Sequence, residues 1–539
     1  MIVAAPGAAR AQSAPLVDWR GYYIGYQTGS ALGFVDVDDP FGGSIFGDTV
    51  RTPGPFVGGQ AGYNWQSGST IYGLEADAVW ADLSGTNTCF AFSGFYISSN
   101  CETHVGALGT LTGRLGWLLP FDPQTLLYAK GGLAWEYSRI KATPNGGAGV
   151  PTSQESAFQL GYTLGAGAER MLARGWSLRA EYDFLGFGGP DAAASPSFFQ
   201  TAPPLAPPVP FPGAGAGTSQ AIHEFKIGMN YQLGERGVLP GPDFIGELLP
   251  HRPSGGTEIE AGARYVYGWS QFHKDLGLIG QGVTSLASRL TYDNTSTSGG
   301  ELFARIDTPH NIMLKGLIGA GTSSGGDLND EDWGLQFPNG NFIPYSNTLS
   351  DVDNRISYAI ADVGYDWWRG SGYKIAPFIG FSWFEQHLKG YGCAQISNPN
   401  SDCGNPIATG VLVITEYDTW NALRLGTVVD LAIAPQLKLT VDAAYLPYVS
   451  FNGTDNHVLR TLVSPEDGSG TGAQIEAMLS YAVTDAFSLG IGGRYWSLWT
   501  NSAEVDFGGT GLIVPMRYNV EQAQLLLQGS YRFDALLPR

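Results

Sequence analysis

Two short constellations hold the residues of this chain best suited to chemistry, Asp330-Glu331-Asp332 and Asp455-Asn456-His457. Hydrolysis of an amide by water needs a base to take the proton, a group that holds that base, and a donor near the developing oxyanion. Asp455 stands just before His457 in an Asp-x-His pattern and can orient an imidazole that acts as the base. Asp330 and Asp332 are close enough in sequence for their titrations to couple, so one carboxyl can keep its proton and donate a hydrogen bond. The four groups suffice to activate a water without a covalent intermediate, and this reading calls for no metal and no cofactor. Three carboxylates and an imidazole also suit a divalent cation, which stays as an alternative. As strings the patterns are common: Asp-x-Asp recurs at Asp36 to Asp38 and at Asp351 to Asp353 in a chain with 49 acidic residues. Solvated loop carboxylates are the bland alternative, so the weight of the pattern depends on what positions it.

The positioning elements are strands. The chain has 539 residues, of which 43% are hydrophobic, 14% charged and 12% aromatic, with 76 glycines. That mixture suits neither a helical enzyme nor a disordered tail. No run of eighteen apolar residues occurs, which excludes an ordinary transmembrane helix, but alternating strands hide membrane spans from hydropathy. A net charge of -20 argues against nucleic acid or an anionic membrane surface as the main partner. In WSLRAEYDF (176–184) and LKLTVDAAY (437–445), charged residues alternate with apolar and aromatic ones. This is the pattern of a wall between lipid and an aqueous lumen.

Candidate strands lie near 19–31, 55–66, 69–82, 103–117, 126–139, 156–171, 176–186 and 221–233. Their connections alternate long and short, as in an up-and-down barrel with all short turns at one end. A break rich in proline follows (235–254), then ten more candidate strands from 257–273 to 516–533 in the same rhythm. The fold expected is all-β, two tandem antiparallel transmembrane barrels of about eight and about ten strands, over 17–234 and 255–539. A single barrel of some eighteen strands is the alternative. Both acidic constellations then fall in long loops after the third and seventh strands of the second half, on one rim. Carrying the alternation of 437–445 forward, however, points Asp455 and His457 at lipid, so a bulge near Pro447 or Gly453 is required. Parity cannot be counted through Gly325-Gly326.

Residues 1–16 read as the remnant of an export signal, with a small-residue cleavage pattern at Ala9-Arg10-Ala11. Four cysteines form two local pairs, Cys89 with Cys101 and Cys393 with Cys403, in polar, turn-rich segments. Loop-closing disulfides in an oxidising compartment explain them better than zinc, which needs a denser ligand set.

The nine residues GGDLNDEDW (325–333) resemble the signature of the omptin family of outer-membrane proteases. Omptins are ten-stranded barrels with an aspartate couple after the third strand and an aspartate–histidine dyad after the seventh. The resemblance covers roughly 255–539 and implies that Asp330 and Asp332 form the couple and Asp455 and His457 the dyad. It implies an endopeptidase that cleaves polypeptides at the cell surface of a Gram-negative bacterium, in contact with outer-membrane lipid. Lipopolysaccharide is the possible activator. Two departures stand out. Ser270 and Gly453 occupy positions where members specific for basic residues carry acids, and the outer-wall strand reads Phe381, Trp383 and Glu385 without the expected arginine.

The first half resembles small eight-stranded outer-membrane barrels of the opacity-protein type. WRGYYIGYQTG from Trp19, YGLEADAVW from Tyr72, LLYAKGGLAW from Leu126 and HEFKIGMNYQLG from His223 carry that likeness. Glu75, Asp77, Arg114, Lys130, Glu169, Arg179 and Glu181 are expected to plug its lumen with ion pairs rather than line a pore. The second function class is therefore a noncatalytic surface protein, an adhesin or structural barrel, and a porin-like channel is the third.

Overall fold

The computed structural model describes residues 17–533 apart from 39–44, 93–96, 121, 147–151, 174, 189–191, 194–214, 235–255, 281, 334, 337–341, 344–345, 371, 398 and 400. The expected export-signal remnant at 1–16, the expected linker at 235–254 and most of the Pro-rich segment 190–218 lie outside the described residues. Eight strands close the first barrel: β1 (Gly21–Val37), β2 (Thr49–Ser67), β3 (Thr70–Phe92), β4 (Ile97–Leu119), β5 (Asp122–Pro144), β6 (Ser153–Ala173), β7 (Trp176–Gly188) and β8 (Thr218–Gly234). Each pairs antiparallel with its chain neighbour, and β1 closes the ring on β8.

Ten strands form the second ring. They are β9 (Glu258–Leu278), β10 (Gly282–Asp307), β11 (Ile312–Asp332), β12 (Ser346–Tyr365), β13 (Tyr373–Gln395), β14 (Ile407–Ala434), β15 (Leu437–His457), β16 (Leu462–Ala482), β17 (Phe487–Asp506) and β18 (Ile513–Arg532). β9 pairs with β18, which closes this ring too. The fold is thus two antiparallel up-and-down barrels, as the alternation and turn rhythm require.

Both barrels turn large apolar side chains outward in a belt. Trp80 is 76% exposed, and Leu133, Leu160, Leu302, Ile318 and Ile491 stand out similarly. Solvated apolar surface on that scale is costly in water and suits a bilayer. Inside the first barrel every expected charge is buried. Arg179 Nη1 lies 2.6 Å from Glu75, Lys130 Nζ 2.8 Å from Glu181, and Arg114 Nη1 3.0 Å from Glu169. Asp183, Glu224 and Lys226 join them, with Lys226 Nζ 2.7 Å from Asp183 and 2.9 Å from Glu224. Buried, ion-paired side chains occupy the lumen, as eight strands allow.

Two expectations are corrected. The acidic constellations do not sit in loops: Asp330 and Asp332 end β11, and Asp455 and His457 end β15. Likewise Cys89 and Cys101 bond within paired strands of a β3–β4 hairpin, Cys89 opposite Ser99 and Asn87 opposite Cys101, rather than across an irregular loop. The second disulfide joins Cys393 to Cys403. Polar, glycine-rich sequence hid these strand extensions, because beyond the bilayer no lipid imposes an apolar face. The ladder continues there on backbone pairing alone.

The barrels stand side by side with like ends together. At the end bearing the long hairpins, Gly146 N donates to Leu286 O at 2.9 Å and Ser285 Oγ to Pro144 O at 3.0 Å. At the turn end, Arg170 Nη1 donates to Ala432 O at 3.2 Å, and Leu178 and Met229 pack against Ile375, Val429 and Leu431. Tilted strands explain why the seam touches β10 at one end and β14 at the other.

Candidate active site

Side-chain direction along the site strands is set by two bulges. On β15 the inward positions include Lys438 and Asp442, until one extra residue between Leu446 and Val449, around Pro447, shifts the register against β16. β14 shows the same shift opposite. Past it the odd positions turn inward, so Phe451, Asp455 and His457 face the mouth. On β11 a second shift falls between Ser324 and Asp327, where Gly325 and Gly326 take φ of 133° and 145°. Side-chain-bearing residues resist that conformation. Lys315 points inward before it; Leu328, Asp330 and Asp332 point inward after it, and Glu331 outward.

The last large outward apolar residues of β9, β11 and β15 are Trp269, Ile318 and Tyr448. All four expected site residues lie beyond that level, outside the membrane span. His457 Nε2 stands 3.6 Å from Asp455 Oδ1, and Asp455 Oδ2 accepts a hydrogen bond of 2.9 Å from Lys274 Nζ. Lys274, fully buried, also donates to Glu416 at 2.6 Å and to Glu466 at 3.0 Å. It fills the three-carboxylate nest that could otherwise take a cation. Sequence reading missed Lys274, Glu416 and Glu466. The only signal was the parity of Lys274 with Ser270 on β9, and nothing local foretold that four strands would converge.

Burial raises Asp330 well above the usual carboxylate range, and the neighbouring charge of Asp332 pushes it further. Burial raises Asp332 as well, against a hydrogen bond from Ser288. The two carboxyls are half-buried, and their coupled titration leaves a proton available to donate. Burial opposes charge on Asp455, but Lys274 and His457 outweigh it and hold its pKa low. Burial likewise opposes charge on His457, yet Asp455 and Asp330 raise it to about 9. Asp330 and His457 thus feel each other across the mouth, which brings the couple and the dyad into one electrostatic unit.

Beneath this level Asp418 accepts hydrogen bonds from Tyr518 Oη at 2.6 Å and Gln386 Nε2 at 2.7 Å. A Cβ at Gly453 would meet Asp418 Oδ1 and Phe451 Cζ at 2.8 Å and Glu466 Oε2 at 2.9 Å, so a side chain there would have to displace their tips. Ser270 Oγ hydrogen-bonds Thr295 Oγ1 at 2.5 Å. A buried aromatic layer of Trp420, Phe451 and Tyr518 follows, with ring centroids 4.5–5.6 Å apart. Below it the lumen is crossed by ion pairs such as Arg494 with Glu301 at 2.7 Å and Arg424 with Asp362 at 3.1 Å. Together these layers separate the mouth from the turn end. Phe381, Trp383 and Glu385 stand on the outer wall of β13, away from the site.

Comparison with known proteins bears on the chain as follows. The outer membrane protein beta-barrel domain matches residues 1–201. The 31 kDa outer-membrane immunogenic protein of Brucella melitensis is 34% identical over 197 residues, 35% of this chain and 79% of that protein. The 22 kDa outer membrane protein of Rhizobium leguminosarum bv. viciae is 32% identical over 188 residues, covering 34% and 72% respectively. Among solved structures, the outer membrane protease OmpT of Escherichia coli aligns with 51% of this chain and 97% of its own, at 13% identity and a TM-score of 0.42.

Proposed function

The chain belongs to the outer membrane protein β-barrel family and resides in the outer membrane; on that premise we propose that its two barrels divide the labour. The first is a noncatalytic surface barrel, like the relatives named outer-membrane immunogenic proteins. The second is an endopeptidase of omptin type, in which water held between His457 and the Asp330–Asp332 couple attacks a polypeptide carbonyl. The observation that carries this reading is that both site strands contain a bulge, and that the two bulges turn all four groups to one mouth.

In the resting site His457 carries a proton at neutral pH, since its pKa is about 9. Its loss to solvent readies the imidazole as base. Asp455, pinned by Lys274, fixes the ring and stabilises the imidazolium formed when water gives up its proton. The protonated partner of the aspartate couple donates to the oxyanion. The mouth carries far more acid than base, which draws positively charged polypeptide segments towards it. Lys274 already occupies the deepest acid nest, so selection for a basic side chain at that depth is not part of the proposal. Lipid contact is through the apolar belt; lipopolysaccharide enters the proposal as a possible activator only.

Refolded full-length protein, with and without lipopolysaccharide, is to be tested on a mixed peptide library. Cleavage that disappears in both Asp330→Ala and His457→Ala supports the endopeptidase. Absence of cleavage by the wild type in both conditions sinks it and leaves the second reading, that the whole chain is a noncatalytic surface protein. The names of the relatives favour that second reading.

A further inference from the structure

We infer that the first barrel is a working part of the second barrel's mouth: its disulfide-stapled β3–β4 hairpin holds Glu331 outward and thereby keeps Asp330 and Asp332 turned to the groove. Glu331 sits on the outer wall of β11 beyond the apolar belt, where a lone carboxylate would stand in water, yet it is only 1% exposed. The hairpin covers it together with Asn347 of β12, whose Nδ2 donates to Glu331 Oε1 at 3.3 Å. Thr88 Oγ1 donates to Glu331 Oε2 at 2.9 Å and accepts from Arg289 Nη1 at 2.9 Å. One hydroxyl thus joins two residues that face each other across β10 and β11, since Arg289 is the register partner of Glu331.

Arg289 is held in turn. Its Nε and Nη2 donate to Asp275 at 2.7 and 3.0 Å, and Nη2 reaches Asn100 Oδ1 of the hairpin at 2.8 Å. Asn100 pairs with Thr88 across the hairpin, immediately beside Cys101, so the disulfide fixes both contacts together. A second clasp comes from the end of β5, where Asn145 Oδ1 accepts from Leu286 N at 3.2 Å.

The consequence follows from strand parity. Successive side chains alternate sides, so Asp330 and Asp332 face the groove only while Glu331 faces out. The strand end follows a two-glycine bulge that costs little to deform, and three adjacent carboxylates repel one another. An outward anchor on the middle one settles which side each takes. The catalytic consequence rests on the endopeptidase reading; the anchoring itself does not.

The test is hydrogen–deuterium exchange on the full chain in detergent micelles, comparing wild type, Thr88→Val and Thr88→Ser. Amides of 329–333 should exchange roughly tenfold faster in Thr88→Val, the opening expected on losing a hydrogen bond to a charged group, while 453–457 stay unchanged. Thr88→Ser should match the wild type. In a cleaving protein, Thr88→Val should lower kcat with KM unchanged, and Thr88→Ser should restore it. Wild-type exchange at 329–333 in Thr88→Val, or equal acceleration at 453–457, overturns the inference. Should Thr88→Val fail to fold, Asn100→Ala removes the neighbouring contact and is read by the same criteria. A chain that cleaves nothing still gives the exchange result, so the two proposals fail separately.

Discussion

The two lumens use the same residue types to opposite ends. In the first barrel Glu75, Asp77, Glu169, Glu181, Asp183 and Glu224 each have a lysine or arginine within 4 Å. At the second barrel's mouth Asp330, Asp332, Glu416, Asp418, Asp455 and Glu466 share Lys274 and His457, with Arg460 near enough to act on the aspartate couple. Asp330, Asp332 and Asp418 form no ion pair there among the described residues. A matched network resists change of charge and makes a plug; an unmatched one leaves protons free to move, which is what acid–base chemistry needs. Charge content alone therefore does not mark a site; the mismatch does.

The largest expected effect separates the lumens by activity. Asp330→Ala and His457→Ala should each lower peptide cleavage about 10²- to 10⁴-fold, the range for a positioned acid or base. Glu75→Gln, in the first lumen, should leave kcat unchanged; a comparable loss there with the barrel intact would break the comparison. Stability should respond the other way. Arg179→Met removes the nearest cation of Glu75, leaving Lys130 at 3.5 Å from Glu75 and 2.8 Å from Glu181, and should cost up to about 3–5 kcal/mol, read as a lower urea unfolding midpoint.

A sharper version removes the buried lysine of the mouth. Lys274→Ala leaves Glu416, Asp455 and Glu466 with donor atoms within 4.8 Å of one another. Titration calorimetry should then detect a divalent cation such as Ca²⁺ binding at about 10⁻³ M or tighter, absent in the wild type. If the variant binds none, the nest is not preorganised. The smallest effect is a titration. His457, followed by NMR, should lose its proton near pH 9, and Asp455→Asn should move that midpoint down towards 6.5. Because the folded pKa is raised, the pair's contribution to stability is complete below 6.5 and is lost as pH rises through about 9. A wild-type midpoint near 6.5 would remove the dyad from the argument.

Strand number, turn rhythm, both disulfides and the plugged first lumen were legible in the sequence because lipid and lumen impose a strict alternation within the bilayer. The demand for a bulge near Pro447 was legible too, since a parity conflict is arithmetic. Above the bilayer that constraint vanishes, and the reading failed there: GGDLNDED looks like a loop and is a strand. Lys274, Glu416 and Glu466 lie on three strands far apart in the chain, and Thr88 reaches Glu331 from another barrel. No window of sequence contains such neighbours.

The bulge at Pro447 is one extra residue, which in genetic terms is one codon. Losing it in frame would regularise the ladder and leave Asp455 and His457 facing the mouth, whereas losing one residue between the bulge and Asp455 would turn both to the outside, while strand count and belt stay as they are. A reactive barrel and an inert one of this build are thus single-step neighbours. A lineage can silence or recover the reactive face without ever passing through a chain that fails to insert.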